Sequence, residues 1–138
     1  MADQPRIKFG ELEYDDDGLM CLHGRPFTGI EFSTYADGSR GREEAYVDGQ
    51  LDGMTRRWHS NGQLASEARY WQNMRHGKAC EWRADGTLVF EELCELDVII
   101  EVRHFADDGT VTRTWTIDPN HTLLAEYRTR HGKAAPPL

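Results

Sequence analysis

Short stretches in which apolar and polar side chains alternate cover most of this chain. After Asn61-Gly62, Leu64, Ala68 and Tyr70 share one parity, whereas Glu67 takes the other. A period of two is typical of a β-strand with one face turned toward a core. No stretch shows a sustained helical period. The pattern therefore predicts an all-β fold of about eleven short strands.

Two series of glycines divide these strands at a constant interval of 24 residues. The residue before each glycine of the second series is Asp or Asn, and Asn-Gly and Asp-Gly favour tight hairpin turns because glycine accepts a positive φ. Sequence periods of this length indicate a repeat protein. We therefore expect an elongated antiparallel β-meander of hairpin repeats in a single twisted sheet. The glycines are Gly29, Gly53 and Gly77 in the first series, and Gly38, Gly62 and Gly86 in the second.

The same interval predicts which side chains meet across each hairpin. Trp58 should face Leu64 and Trp82 should face Leu88, and we expect Trp58, Tyr70 and Trp82 to be largely buried between neighbouring hairpins. A turn ending at the closing glycine, Gly53 or Gly77, should join one unit to the next.

We interpret the chain as a single repeat domain, residues 1–138, whose ends depart from the regular pattern. The regular repeats run from about residue 27 to 117, with atypical caps at residues 1–26 and 118–138. Such end units protect the open edges of a repeat array. We expect the segment His121–Arg128 to form a last strand and the tail Lys133–Leu138 to be loose.

These units resemble the bacterial variant of the MORN repeat, as in YwqK-type proteins. The resemblance rests on Trp58, the turn Asn61-Gly62, Tyr70 and the closing pair His76-Gly77, which recur in register over about two-thirds of the chain. It implies a twisted sheet of successive hairpins. Bacterial members are commonly described as antitoxins or immunity proteins, and eukaryotic relatives as membrane-attachment or scaffolding modules. The resemblance implies no catalytic residue.

The acidic composition of the chain disfavours some classes of partner. The chain has 24 acidic and 16 basic side chains, a formal net charge of −8. This excess disfavours nucleic acid and anionic membranes and favours a basic protein, although acidity that serves only solubility stays an alternative. The first residues carry no apolar signal core, and no apolar run is long enough to span a bilayer. We therefore expect a cytoplasmic location and free thiols at Cys21, Cys80 and Cys94.

The residue pattern contains no recognisable arrangement for catalysis, a metal or a cofactor. The six histidines show no His-Glu-x-x-His spacing, and neighbouring acids such as Glu43 and Glu44 point to opposite faces of a strand. We therefore predict a protein that is not an enzyme and uses no metal or cofactor.

Two sets of residues are candidates for partner binding. Glu43, Glu67 and Glu91 hold the same position in three repeats and could form an acidic ladder, unless neighbouring arginines neutralise it. Trp71 and Arg75 flank a turn, where Trp71 would expose its indole, and both residue types are enriched at interfaces. The alternative is a tryptophan folded over the adjacent hairpin. With the resemblance, these features favour an immunity or antitoxin protein that blocks a cognate, basic toxin by steric binding. A scaffold or lipid-associated module is the alternative.

Overall fold

The computed structural model describes residues 4–138, so residues 1–3 of the predicted N-terminal cap lie outside the described residues. Those described residues form β-strands and one helix. The elements are β1 (Arg6–Lys8), β2 (Glu13–Tyr14), β3 (Met20–Leu22), β4 (Arg25–Pro26), β5 (Gly29–Thr34), β6 (Arg40–Val47), β7 (Gln50–Trp58), β8 (Leu64–Trp71), β9 (Met74–Trp82), β10 (Leu88–Glu95), β11 (Val98–Phe105), β12 (Val111–Thr116) and α1 (Thr122–His131).

The strands belong to two sheets, so the prediction of a single, purely antiparallel sheet is wrong. A nine-stranded sheet has the order β1-β5-β6-β7-β8-β9-β10-β11-β12, and β2-β3-β4 form a small sheet of their own. Each strand from β5 to β12 pairs antiparallel with the next, as a meander requires. β1 is parallel to β5, with Arg6 opposite Ile30, because the small sheet lies between them in sequence and the chain returns in the same direction.

The Asn-Gly and Asp-Gly hairpins form where the sequence predicts them. Trp58 pairs with Leu64 across one hairpin, and Trp82 pairs with Leu88 across the next. The glycine φ angles are positive at these turns, for example 87° at Gly62. Asp37, Asn61, Asp85 and Asp108 each accept the backbone N–H two residues later, which closes the turn.

The second type of turn lies elsewhere than predicted. Gly53 and Gly77 do not close a turn but lie within β7 and β9, with φ angles of 115° and 123°. The reversals occur at two-residue turns in which both residues have positive φ: Asp48-Gly49, Gln72-Asn73 and Leu96-Asp97. These three turns are also 24 residues apart, although the second and third of them contain no glycine.

The C-terminal segment is helical, so the strand predicted for His121–Arg128 is wrong. Leu124 is 2% exposed and packs against Val98 and Ile117, with Tyr127 beside them. Positions i and i+3 share one side of a helix, so this segment covers the apolar cluster more completely as a helix than as a strand. The tail is also held to the sheet, because His76 Nε2 donates to the Pro136 carbonyl at 2.6 Å while His76 Nδ1 accepts from Leu96 N–H.

The buried core is split between the two ends of the large sheet. Leu12 and Phe27 pack with Tyr46 where the small sheet meets the large one, and a second cluster lies under α1. Between these clusters, one face of the sheet is open, and the C-terminal segment covers part of the other face. Consequently Trp58, Tyr70 and Trp82 are half-buried rather than largely buried as predicted.

Candidate binding groove

A groove crosses the middle of the large sheet where short side chains of three neighbouring strands lie side by side. Thr55 on β7 pairs with Ala68 on β8, which pairs with Ala79 on β9. Ser66 lies two residues before Ala68 and therefore projects from the same face. These four short side chains form the floor. We call the depression above them the central groove.

Larger side chains from β6 and β10 form the walls of the central groove. The walls are four strand spacings apart, about 19 Å between backbones. The space between them has a volume of about 260 Å³ and is open to solvent. The residues of the walls and ends are Arg42, Glu44, Leu51, Arg57, Tyr70, Arg75, Phe90 and Glu92.

Both walls carry paired charges. On the β6 wall, Arg42 Nε lies 3.0 Å from Glu44 Oε1, and the Tyr46 hydroxyl donates to Glu44 Oε2. On the β10 wall, Arg75 Nη1 lies 3.3 Å from Glu92 Oε2. Each wall therefore holds a carboxylate and a guanidinium in fixed positions. Such walls can offer hydrogen-bond donors and acceptors to a partner without large net charge.

Tyrosine hydroxyls near the groove stay protonated over the physiological range. Burial raises the pKa of Tyr70, and burial also raises the pKa of Tyr46, with a further contribution from the nearby carboxylate of Glu44. The Tyr70 hydroxyl can therefore act as a neutral hydrogen-bond donor, and the Tyr46 hydroxyl keeps its bond to Glu44.

A buried carboxyl group lies next to the β6 wall of the groove, on the side of the N-terminal edge of the sheet. Glu31 on β5 lies directly opposite Glu44 and is 2% exposed. Its Oε1 accepts from the Gly10 backbone N–H at 3.2 Å, while its Oε2 has no hydrogen-bond partner among residues 4–138. Burial is the main cause of a raised pKa at Glu31, and the charge of Glu44 adds to it. Nothing in the sequence pattern distinguishes this glutamate from exposed ones.

The three glutamates of the predicted ladder share one row of the sheet, on the face opposite the central groove. Other strands interrupt the row, since Arg56 pairs between Glu43 and Glu67, and Cys80 between Glu67 and Glu91. Each carboxylate also has a basic neighbour. The ion pairs are Arg6–Glu43 at 2.8 Å, Arg56–Glu67 at 3.2 Å, and Arg103–Glu91. The structure thus favours the neutralised alternative over a continuous acidic stripe.

The other predicted pair, Trp71 and Arg75, is divided between the two faces. Arg75 pairs with Tyr70 and lines the groove, whereas Trp71 projects from the opposite face. Trp71 is half-buried against the rings of His76 in β9 and His131 in α1, at 6.2 and 6.4 Å between centroids. Its indole is therefore less exposed than the first interpretation expects, and part of its cover comes from the helix and not from a hairpin.

The sequence pattern did not predict the groove floor, although it contains a signal for it. Short side chains occur at matching positions of three neighbouring strands, but their alignment becomes visible only when the register is known. Within residues 4–138, no group of three or more His, Cys, Asp or Glu side chains is arranged to hold a metal ion. In the same part of the chain, α1 falls short of the length and apolar character that crossing a membrane requires.

In comparisons with known proteins, the chain resembles solved structures only distantly. No family model and no curated protein matches the chain. One solved structure that it resembles is S. aureus TarM crystallised with fondaparinux, α-GlcNAc-glycerol and UDP, at a TM-score of 0.40, 10% identity, 77% coverage of this chain and 19% of the other. Another crystal structure of TarM matches at a TM-score of 0.40, 10% identity, and 78% and 20% coverage. The chain spans about a fifth of the length of these proteins.

Proposed function

We propose that this protein is a binding module of the immunity or antitoxin type, which neutralises a cognate toxin by covering part of its surface. The observation that carries the proposal is the central groove, a preformed depression with a floor of short side chains and walls of ordered, charged side chains. The resemblance of the repeats to bacterial MORN variants suggests the class of partner. The module needs no catalytic step, because steric coverage is enough to block a toxin.

The size of the groove favours a folded segment of a protein as its ligand. An α-helix with its side chains is about 10–12 Å across, which fits between walls whose backbones are about 19 Å apart. The central volume of about 260 Å³ accepts the one or two side chains that such a segment would insert. Phe90 and Tyr70 supply aromatic surface beside the floor, and aromatic residues are enriched at the centres of protein interfaces.

The overall charge suggests that the partner is basic. The net charge of −8 would attract a positively charged protein from a distance, while the paired charges on the walls would set its orientation. In this proposal the glutamates of the opposite face contribute to the field and do not touch the toxin.

The test uses two neighbouring residues of β8 that point to opposite faces. Ser66→Arg fills the floor of the groove, whereas Glu67→Gln removes a charge from the other face. A partner captured from the native host with the wild-type protein is purified and produced in a bacterial strain that it inhibits. We expect the wild-type chain and Glu67→Gln to restore growth and to bind the partner, and Ser66→Arg to do neither while keeping its β-sheet circular dichroism spectrum.

Two outcomes would contradict the proposal. Equal protection by Ser66→Arg and the wild-type protein would exclude the groove as the contact surface. Recovery of anionic lipid vesicles without any protein partner would favour the scaffold or lipid-associated alternative.

A further inference from the structure

The last strand of the large sheet, β12, has an open and weakly protected edge. All six residues from Val111 to Thr116 are exposed, and Val111 and Trp115 remain 47% and 44% accessible. The opposite edge strand, β1, has only three residues, and short edge strands are one way in which proteins prevent edge pairing. β12 is longer and contains neither proline nor lysine nor an acidic residue. Its protection is limited to one charged side chain, Arg113, and a register shift near its start, opposite His104 and Phe105.

The backbone of β12 directs alternate residues toward this open edge. Ile117 N–H donates to the Ile100 carbonyl of β11 at 2.9 Å, so Ile117 faces inward. Inward- and outward-facing residues alternate along an antiparallel strand, which makes Trp115 inward-facing and leaves the N–H and C=O groups of Thr114 and Thr116 directed outward. These groups are available to another strand.

We propose that the β12 edge binds the β12 edge of a second copy of this chain, in an antiparallel pair with Thr114 opposite itself. A two-fold axis perpendicular to the sheet relates the copies, so the groove faces lie on the same side. In this register, Arg113 lies opposite Trp115 of the second copy, and Thr112 lies opposite Thr116. Both Arg113 and Trp115 project from the groove face, since they pair with His104 and Val102 of β11.

The side chains of β12 complement one another in this register. Each guanidinium lies beside the indole of the other copy, an arrangement that is favourable by cation–π attraction. The three threonines pair on the opposite face, where Thr–Thr pairs stabilise a ladder. Of the two neighbouring registers, one sets Arg113 opposite itself, which brings two like charges together and is disfavoured. The other sets Trp115 opposite itself and gives up both contacts between Arg113 and Trp115. The order Thr-Arg-Thr-Trp-Thr is thus self-complementary about Thr114.

No other part of the described fold obstructs this approach. Helix α1 starts near β12 but runs away from the edge, because Arg128 reaches Glu95 on β10 and the His131 ring reaches Trp71 on β8. The pairing would join two nine-stranded sheets into one continuous sheet. A six-residue edge buries less surface than the roughly 1,200 Å² typical of stable complexes, so the dimer should form reversibly and at high protein concentration.

The first experiment measures the register by cross-linking. In a hydrogen-bonded antiparallel pair the Cα atoms are about 5.5 Å apart, a separation that a disulfide can span. Under mild oxidation at high concentration, we expect Thr114→Cys to give a covalent dimer. The matched variants Thr116→Cys and Arg113→Cys, like the wild-type chain with its three native cysteines, should stay largely monomeric. A dimer yield for either matched variant equal to that of Thr114→Cys would overturn the proposed register.

The second experiment measures self-association by sedimentation velocity over a concentration series. Trp115→Arg places Arg113 opposite an arginine of the second copy and should shift the protein to monomer at every concentration. Exchanging the two residues in Arg113→Trp/Trp115→Arg should restore the dimer. A wild-type protein that stays monomeric throughout the series, or an exchanged variant that stays monomeric although folded, would overturn the proposal.

Discussion

At the scale of single residues, Glu31 is the most unusual group in the structure. It is almost fully buried, and a second carboxylate, Glu44, lies opposite it. Within the described part of the chain, one of its oxygens has no hydrogen-bond partner. The charge of Arg42 compensates in part, but Arg42 is paired with Glu44. Burial without a compensating partner costs free energy whenever the group is ionised. The position is therefore suboptimal for stability at neutral pH.

The first prediction is that Glu31→Gln stabilises the fold at neutral pH, by on the order of 1 kcal/mol. Glutamine keeps the acceptor for Gly10 N–H but cannot ionise. Because the folded-state pKa of Glu31 is raised, the wild-type protein loses stability as pH rises from the unfolded-state pKa through the folded-state pKa. Urea unfolding at pH 8 should show the gain, and near pH 4 the difference should shrink.

The matched control for this change is Glu11→Gln, an exposed glutamate next to the same glycine. It should alter the free energy of unfolding by less than about 0.5 kcal/mol at either pH. If Glu31→Gln were less stable than the wild-type protein at pH 8, the ionised carboxylate would stabilise the fold, and the cost assigned to its burial would be wrong.

At the scale of elements, helix α1 depends on tertiary contacts. The sequence of its first turn contributes little to helix stability, because no side chain caps that turn and the turn contains no acidic residue. Contacts that hold it to the sheet include the packing of Leu124 on Val98 and Ile117, and the bidentate pair of Arg128 with Glu95 at 2.6 and 2.7 Å. The hydrogen bonds from Arg128 are the main cause of a lowered pKa at Glu95.

The second prediction is that Leu124→Ala destabilises the protein by about 2–3 kcal/mol and releases α1 from the sheet. The adjacent residue provides a control, since Leu123 is 41% exposed and Leu123→Ala should cost less than about 0.5 kcal/mol. Urea unfolding measures the free energies, and hydrogen exchange of the α1 amides reports on docking. Equal effects of the two substitutions would contradict the packing described here.

At the scale of the whole molecule, the charges act differently at contact distance and at longer distances. Most carboxylates near the sheet surface have a basic neighbour, yet the chain retains a net charge of −8. Close pairs cancel at contact distance, whereas the excess acts over longer distances. The field of the protein can therefore guide the approach of a partner without supplying much energy in the complex.

The third prediction is that association with the cognate partner slows as salt rises, while dissociation changes little. Screening acts beyond roughly 8 Å at physiological ionic strength, which affects long-range attraction more than contacts. Glu67→Lys, on the face away from the groove, should lower the association rate and leave the dissociation rate nearly unchanged. Surface plasmon resonance at two salt concentrations measures both rates. Salt-independent association would exclude electrostatic guidance.

The two kinds of turn differ in how well the sequence predicts their position. The Asn61-Gly62 turn was predictable because its conformation is decided locally, by a glycine with positive φ and a side chain that closes the turn. The Leu96-Asp97 turn was not, because a buried leucine with φ of 52° is an uncommon choice that neighbouring contacts must hold in place. The sequence pattern predicts a turn that ends at Gly53 for the same reason: a glycine signals positive φ locally, but only the pairing of the strands places Gly53 within β7.

The sequence by itself determined the β-rich class, the 24-residue hairpin interval and the cross-strand pairs such as Trp58 with Leu64, since all of these depend on residues close together in the chain. Tertiary structure alone decided the parallel pairing of β1, the helical form of α1, the neutralisation of Glu43, Glu67 and Glu91, and the central groove. The physical reason is that each of these depends on neighbours distant in sequence, whose identity is settled only when the strands take their places in the sheet.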